Sequence, residues 1–392
     1  MTVKLAELQE LEARWVMQTY PRMPVEFVNG EGARLTDSEG NEYLDFLAGI
    51  SVCSVGHCHP AVVEAVREQV GKLTHTSNLY LTEQGVRLAE RLCRSSLGGR
   101  AFLCNSGTEA NECAIKLVRK HAHQRGIYEP EIVVLEGAFH GRTMGAVSAT
   151  PGLAGNASFA PYLPGFVSVP RDDPSALSAA VGERTAAVML EPIQGETGVN
   201  VISEQVIAAA RDACDSSGAL LLFDEIQTGM GRTGSLWAYE QLSARPDVMT
   251  TAKALGGGLP VGACVTSEET MDVLERGDHG STFAGGPLIA AAALAAFDVI
   301  DDAELLRRVR ELGARLCEGL EALGPIAEVR GRGLMVGARL DGVDAKEAAT
   351  ALLGEGLIVN PIGADTLRFL PPLVIDEGDV DEALAIIGRT LR

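Results

Sequence analysis

The chain has 392 residues and carries 53 acidic against 33 basic side chains, a formal net charge of −20 with a pI near 4.8. An anionic excess of that size argues against a nucleic-acid or anionic-membrane partner, because both need a cationic face. A hydrophobic fraction of 46% and a mean hydropathy of +0.12 exclude a disordered acidic tail and leave a core large enough for two or three domains.

Residues 4–19 repeat apolar positions at helical spacing, and Met1 to Tyr20 carries charges throughout, with no apolar signal core. Val25–Val28 and Tyr43–Phe46 read as strands, with turns at Asn29-Gly30 and Glu39-Gly40-Asn41. From about 60 to 270, short apolar runs alternate with helical patterns: Ala101–Cys104, Ile132–Leu135, Ala187–Leu190, Ala219–Phe223 and Val261–Val265. Unbroken runs of this kind between helices predict an α/β fold, a mostly parallel central sheet covered by helices on both faces. The clearest helix covers Thr108–His123, opened by the capping pattern Ser106-x-x-Glu109. An alanine-rich helix follows Pro287, and its longest apolar stretch, Leu288–Phe297, is too short to span a bilayer. A helix at 303–323, strands at Ala327–Arg330 and Gly333–Leu340 and a helix at 379–391 complete the chain. The division expected is an N-terminal segment, 1–55, packing with a smaller α+β domain, 287–392, beside a large domain, 56–286. The eight cysteines include no Cys-x-x-Cys pair and read as reduced thiols of a cytoplasmic protein.

In open α/β sheets ligands bind beyond the carboxyl ends of the strands, so the residues after each apolar run carry the chemistry. Asn105-Ser106-Gly107-Thr108 offers backbone N–H groups, two hydroxyls and a positive dipole end, which suits a phosphate or serves as an ordinary cap. Asp224 ends a buried run and either caps the next turn or pairs with a buried cation. Lys253 sits among small and apolar neighbours, where desolvation would make its amine nucleophilic. A nucleophilic lysine, a carboxylate for a ring nitrogen and a phosphate cradle are together the parts of a pyridoxal-phosphate site.

Three motifs are set aside. Gly229-x-Gly231-x-x-Gly234 fits a dinucleotide fingerprint, but acids precede it and the position about twenty residues on is Met249. His57-Cys58-His59 has no second ligand pair and reads as turn chemistry before Pro60, so no metal is expected. Gly256–Gly258 lacks the ending of a nucleotide P-loop.

At these residues the chain resembles the class-III pyridoxal-phosphate aminotransferases of the ornithine and acetylornithine type, which share the fold-type I architecture. The resemblance runs from Gly56-His57-Cys58-His59-Pro60 to Leu367-Arg368-Phe369. Its most specific pieces are 106–111, Phe139-His140-Gly141-Arg142-Thr143, Glu191-Pro192-Ile193-Gln194-Gly195-Glu196, 224–229 and Lys253. It implies that Lys253 holds pyridoxal 5'-phosphate and shuttles the proton, while Asp224 keeps the pyridine nitrogen protonated. Phe139 would stack on the ring, Gln227 would contact its phenolic oxygen, and Ser106, Gly107 and Thr108 would take the phosphate, with Glu225 and Ile226 in the same motif as Asp224. Thr282 would reach the phosphate in the neighbouring subunit, which implies a homodimer with shared active sites.

Arg142 resembles the arginine that grips a substrate carboxylate, and Arg368 the one that holds the α-carboxylate of glutamate or 2-oxoglutarate. Glu196 would pair with Arg368 when the amino donor offers no carboxylate there. Ile50 stands where ornithine aminotransferases carry a tyrosine that contacts a free α-amino group, and an apolar residue suits an acylated nitrogen. With Ser281 and Arg142 contacting the acetylated substrate, the resemblance implies transfer of the δ-amino group of N2-acetyl-L-ornithine to 2-oxoglutarate, a step of arginine biosynthesis. Cys53 and Gly286 both stand where that branch carries asparagine. The alternatives are another ω-amino-acid aminotransferase, acting on 4-aminobutyrate, ornithine, succinylornithine or an acylated lysine-pathway substrate, an aminomutase, or a non-catalytic homologue serving as an interaction subunit.

Overall fold

A computed structural model describes residues 4–154 and 156–391; residues 1–3 and 392, at the ends of the expected segments, lie outside it. The seven strands of the central sheet are, in chain order, β1 Gly98–Cys104, β2 Glu131–Leu135, β3 Phe166–Val169, β4 Thr185–Leu190, β5 Leu220–Asp224, β6 Val248–Thr251 and β7 Gly262–Ser267. They lie side by side as β1-β7-β6-β5-β4-β2-β3. Only β7 runs against its neighbours, antiparallel to both β6 and β1. The fold is thus α/β with a mostly parallel sheet. Alternate residues bury against opposite layers. Leu221, Phe223 and Met249 join one core with the helices Glu204–Ser217 and Pro287–Ile300, whereas Leu220, Leu222 and Val248 join another with Cys113, Ala114 and Leu117 of the helix Gly107–Gln124.

Strands β3 and β6 had no counterpart in the apolar runs. Thr250 and Thr251 interrupt the apolar pattern of β6 although both are fully buried, and β3 is a short edge strand. The N-terminal helix is shorter than its periodic pattern, Leu5–Trp15.

The expected turn at Asn29-Gly30 lies instead inside the strand Phe27–Glu31. Gly32, at φ +57°, makes the turn to Arg34–Asp37, and a glycine is needed at 30 because a Cβ there would come within 2.9 Å of His57 Cβ and of Leu35. Glu42–Asp45 extends this hairpin and pairs in parallel with Leu357–Ile358, so the N-terminal strands are joined to the C-terminal part of the chain. A second antiparallel sheet, ordered Ile326–Arg332, Met335–Leu340, Thr366–Phe369, Asn360–Ile362, lies in that part.

The three set-aside motifs serve packing. Gly231 and Gly234 are at φ +82° and +88°, and a Cβ on them would meet Ile300 and Arg310 of the C-terminal helices at 2.8 and 2.3 Å. His57 Nε2 lies 2.7 Å from Asp45 Oδ2, while His59 turns elsewhere and caps the helix Pro60–Val70 by accepting from Ala61 N–H. Gly257, at φ +56°, ends the short turn that carries Lys253.

Candidate active site

A cavity of about 510 Å³ opens at the carboxyl ends of β1, β2, β4, β5 and β6, and Asn105–Thr108, Phe139–Arg142, Glu191, Asp224, Ile226, Gln227 and Lys253 line it. The sheet explains the convergence: each strand delivers its last residue and following loop to one edge. Asp224 terminates β5 and is buried. Its Oδ2 accepts from Asn111 Nδ2 at 2.8 Å and lies 2.8 Å from His140 Nδ1, and its Oδ1 accepts from Ile226 N–H at 3.0 Å. Asn111 is itself fully buried, four residues into the helix, where it also donates to His140 O at 2.7 Å and accepts from Thr250 Oγ1 at 2.7 Å. Asn111 and His140 were missed in the sequence. The signal available for Asn111 was a polar side chain on the apolar face of an amphipathic helix.

Lys253 follows β6 in the left-handed region, φ +47°. Burial pulls its pKa below the usual lysine range, against the opposing pull of Glu196 and Asp224. Glu191, also unassigned in the sequence, accepts from Phe139 N–H at 3.0 Å; burial, then the nearby charge of Asp224, raises its carboxyl well above the usual range. Glu191 therefore holds the loop after β2 through the Phe139 N–H.

That loop carries Phe139 and Arg142, and the Arg142 guanidinium lies 4.7 Å from the Phe139 ring centroid. Arg142 is followed by Thr143, whose hydroxyl lies 2.8 Å from Thr108 Oγ1 and donates to Glu112 Oε1 at 2.5 Å. The same Glu112 oxygen accepts from Gly145 and Ala146 N–H at 2.9 and 3.1 Å. One carboxylate on the helix thus ties the arginine loop to the turn at Thr108.

Arg368, on Thr366–Phe369, is buried just behind the cavity and reaches its lining through Gln227. Its Nη1 donates to Glu196 Oε1 at 2.6 Å, Gly195 O at 3.1 Å and Gln227 Oε1 at 3.1 Å, and its Nη2 donates to Asn360 Oδ1 at 2.7 Å. Burial pushes the Glu196 pKa up, but the charge and hydrogen bond of Arg368 outweigh it and hold the carboxyl below its ordinary range. Glu196 also accepts from Gln227 Nε2 at 3.1 Å.

Ile50 packs with Ile193, Val199, Met335 and Leu370 and sits in a turn in which Ala48, Gly49, Ile50 and Ser51 have φ of 49, 62, 64 and 64°. A left-handed conformation disfavours a non-glycine residue by roughly 1–2 kcal/mol, and runs of it are rare. Val52, next in the chain, lines the cavity.

Six expected site residues are absent from the lining: Ile50, Glu196 and Arg368, which lie behind it, and Glu225, Ser281 and Thr282. Glu225 is turned away from the cavity: its carboxylate accepts from Ala238 and Tyr239 N–H, each at 2.8 Å, because successive residues at a strand end face opposite sides. This corrects any direct side-chain contact with a ligand in the cavity. Ser281 and Thr282 are outside the lining of this cavity; Ser281 Oγ accepts from Asn105 Nδ2 at 2.9 Å and Thr282 is exposed. Of the two departures from the family pattern, Cys53 is half-buried, its sulfur 3.9 Å from where a Cβ on Gly258 would lie, and Gly286 caps the helix Pro287–Ile300.

These residues fit pyridoxal phosphate. The N-terminus of the helix Gly107–Gln124 presents backbone N–H groups at the cavity, and Ile226 leaves no room for a larger residue at Gly107, whose Cβ would lie 2.7 Å from it. A buried carboxylate, a buried amine of depressed pKa and an aromatic face complete the set.

The aminotransferase class-III sequence profile matches residues 16–391. The acetylornithine aminotransferase of Caldanaerobacter subterraneus subsp. tengcongensis is 46% identical over 385 residues, 97% of this chain and 98% of that protein. Among solved structures, acetylornithine aminotransferase from Elizabethkingia anophelis superposes with a TM-score of 0.88 at 34% identity, covering 99% of both chains. An ornithine aminotransferase structure from Toxoplasma gondii, reported with partial occupancy of pyridoxal phosphate at its active site, superposes with a TM-score of 0.93 at 35% identity, covering 99% of this chain and 94% of that one. With the fold, the strand-end cavity and the profile in agreement, the chain belongs to the class-III aminotransferases, a pyridoxal-phosphate-dependent family of fold-type I.

Proposed function

We propose that the protein transfers the δ-amino group of N2-acetyl-L-ornithine to 2-oxoglutarate, giving N-acetyl-L-glutamate 5-semialdehyde and L-glutamate, in arginine biosynthesis. The observation that carries this reading is the Arg368–Glu196 pair, 2.6 Å long, beside the cavity. An arginine fork already closed by a carboxylate leaves a pocket that accepts a terminal amine, and the same fork grips the α-carboxylate of glutamate once Glu196 withdraws. Ile50 suits the acylated nitrogen, and the 46% identity to an acetylornithine aminotransferase over 97% of this chain supports that choice.

When bound, pyridoxal phosphate supplies a carbonyl that exchanges amino groups and a protonated ring that accepts electrons. Ser106, Gly107 and Thr108 would take its phosphate, and Phe139 and Ile226 would confine the ring. Asp224, fixed by His140 and Asn111, would hold the proton on the ring nitrogen, and Gln227 would face the phenolic oxygen. Lys253 would hold the cofactor's carbonyl carbon and move the proton at the amine-bearing carbon of the substrate, and burial, which lowers its pKa, favours the neutral amine this needs. Arg142 and Ser281 orient the acetylated substrate.

The same reading makes the protein a cytoplasmic homodimer. Leu79, Leu81 and Phe283 are exposed, and Asn78 ties their two segments together by donating to Ser281 O and Ala284 O, so the apolar patch flanks Thr282. A second copy covering this patch would take Thr282 into its own cavity. Among the described residues no helix is long and apolar enough to cross a membrane. The division into 1–55, 56–286 and 287–392 belongs to this reading and is supported by the pairing of Glu42–Asp45 with Leu357–Ile358.

Steady-state rates with acetylornithine, ornithine, succinylornithine and 4-aminobutyrate, each with 2-oxoglutarate, test the substrate. Acetylornithine should give the highest kcat/KM; a preference for ornithine or 4-aminobutyrate would move the protein to a neighbouring branch.

A further inference from the structure

Arg232 is fully buried, and no carboxylate lies within ion-pair distance of it among the described residues. Burial lowers its pKa, yet an arginine remains charged at neutral pH, so the cation is held by neutral groups alone. Its Nε donates to Ser51 Oγ at 2.9 Å and its Nη2 to Ser54 Oγ at 2.8 Å. Its Nη1 donates to Leu334 O at 3.0 Å and Pro371 O at 2.6 Å. Four of the five guanidinium N–H groups are thereby used, and they reach three separate pieces of chain. One piece is the left-handed turn that carries Ile50 and leads into Val52 of the cavity wall. Another flanks Arg368, since Pro371 lies three residues beyond it, and the third, at Leu334, leads into the strand Met335–Leu340 that pairs with the Arg368 strand.

A turn with three non-glycine residues in the left-handed region persists only where its surroundings over-determine it. The surroundings are identifiable. Asp45 Oδ1 accepts from Leu47 and Ala48 N–H at 2.8 and 2.9 Å, fixing the entry, and Ser54 donates to Ser51 O at 3.1 Å, closing the exit. Leu370 N–H and Leu373 N–H donate to Phe46 O and Ser54 O, both at 2.7 Å, lashing the turn to the Arg368 strand. Arg232 is the charged group at the centre of this assembly. An unpaired buried cation is an expensive way to hold a fold together, whereas its planar fork sets the relative position of two backbone segments more tightly than packing would.

We propose that Arg232 is a specificity-determining positioning residue: by clamping Ser51, Ser54, Leu334 and Pro371, it sets the distance between the Ile50 turn and Arg368, and so the selection of the acylated donor. The inference rests on the acetylornithine reading for the identity of that donor. Lysine cannot replace the fork, because one ammonium cannot span four acceptors.

The test uses the full-length holoenzyme carrying Arg232→Lys, together with Ser51→Ala, which cuts the clamp on the turn side while leaving the charge in place. In both variants the ratio of kcat/KM for acetylornithine over ornithine should fall about ten-fold or more, as expected when a charged hydrogen bond is lost. The dissociation constant for pyridoxal phosphate should stay within about two-fold, since the cofactor half of the site lies on the sheet. Hydrogen exchange in the cofactor-free protein should rise at residues 47–54 and 370–373 and not in β5. Equal losses for both donors, an unchanged ratio, or faster exchange throughout the central sheet would reduce Arg232 to a structural residue and overturn the proposal. If the unaltered enzyme does not prefer acetylornithine, the substrate reading fails instead. The selectivity between that enzyme's own best two donors, with the exchange pattern, then decides the role of Arg232.

Discussion

The floor of the cavity and its wall are built on different principles. The floor, from Ser106 to Lys253, is a row of strand ends and one helix N-terminus, and its carboxylate, Asp224, is bonded to Asn111 and close to His140. The wall, from the Ile50 turn to Arg368, is made of segments far apart in sequence, held by a strained turn, a buried arginine and a carboxylate switch. The floor is rigid because the sheet is rigid. The wall is positioned by side chains, and side chains can be exchanged. One fold can therefore keep its chemistry and vary its substrates, and damage to the two regions should have different kinetic signatures.

Damage to the floor should appear in kcat. Lys253→Ala removes the amine placed to move the proton, and turnover should fall by about 10⁴-fold, the upper end for a positioned acid or base. The melting temperature of the cofactor-free protein should not fall, because the variant no longer desolvates a polar amine in the cavity. Activity near that of the unaltered enzyme would break the assignment of the floor. Asp224→Asn should lower kcat by about 10²- to 10³-fold, the range for losing one preorganised electrostatic group, and should shift the absorbance of the bound cofactor.

Damage to the wall should appear in KM. Arg368→Lys leaves a charge without the fork, and KM for 2-oxoglutarate should rise about 10- to 100-fold, equivalent to a charged hydrogen bond of 1.5–3 kcal/mol. The half-reaction with acetylornithine, followed by cofactor absorbance under single-turnover conditions, should change far less. A comparable loss in both half-reactions would mean that the wall does not distinguish its two carboxylates as drawn. Glu112→Ala is intermediate, since Glu112 ties the Arg142 loop to Thr108. We expect a KM for the acetylated donor about five- to ten-fold higher, from the loss of acceptors for Thr143, Gly145 and Ala146, and a smaller change in Glu112→Gln, which keeps one oxygen.

The same contrast governs what was legible in the sequence. Strand ends follow a general rule, so Asp224 and the Ser106–Thr108 turn could be singled out from apolar runs, whereas Lys253 stood out by its small and apolar neighbours. Arg142, Glu196, Arg368 and Ile50 entered only through the family resemblance, because nothing local in the sequence joins residue 50 to residue 196 or 368. His140 and Glu191 lie inside motifs that were noticed, yet their work is hidden, one ring nitrogen close to Asp224 and one carboxyl behind Phe139. Arg232 was masked more thoroughly. It falls in a glycine-rich segment whose spacing suggests a phosphate loop, and only the three-dimensional packing reveals those glycines as points of close approach to C-terminal helices. β6 escaped for a simpler reason: buried threonines break an apolar run without breaking a strand.

The smallest expected effect concerns stability and isolates the wall from catalysis. His57 and Asp45 lie 2.7 Å apart beneath the Ile50 turn. The hydrogen bond to Asp45, then one to Cys53, pushes the His57 pKa up to about 10. An imidazole whose folded pKa exceeds its unfolded value of about 6.5 contributes stability that is fully present below the unfolded value. The contribution is lost as pH rises through the folded value. Urea unfolding of the cofactor-free protein at pH 6 and pH 10 should therefore separate the unaltered chain from His57→Gln by roughly 1.5–3 kcal/mol at the lower pH, the range for a charged hydrogen bond, and by much less at the higher one. A gap that widened toward pH 10 would mean that neutral His57 supports the turn. The turn would then depend on Arg232 as the buried cation bonded to it, which makes the Arg232→Lys variant the sharper of the two probes.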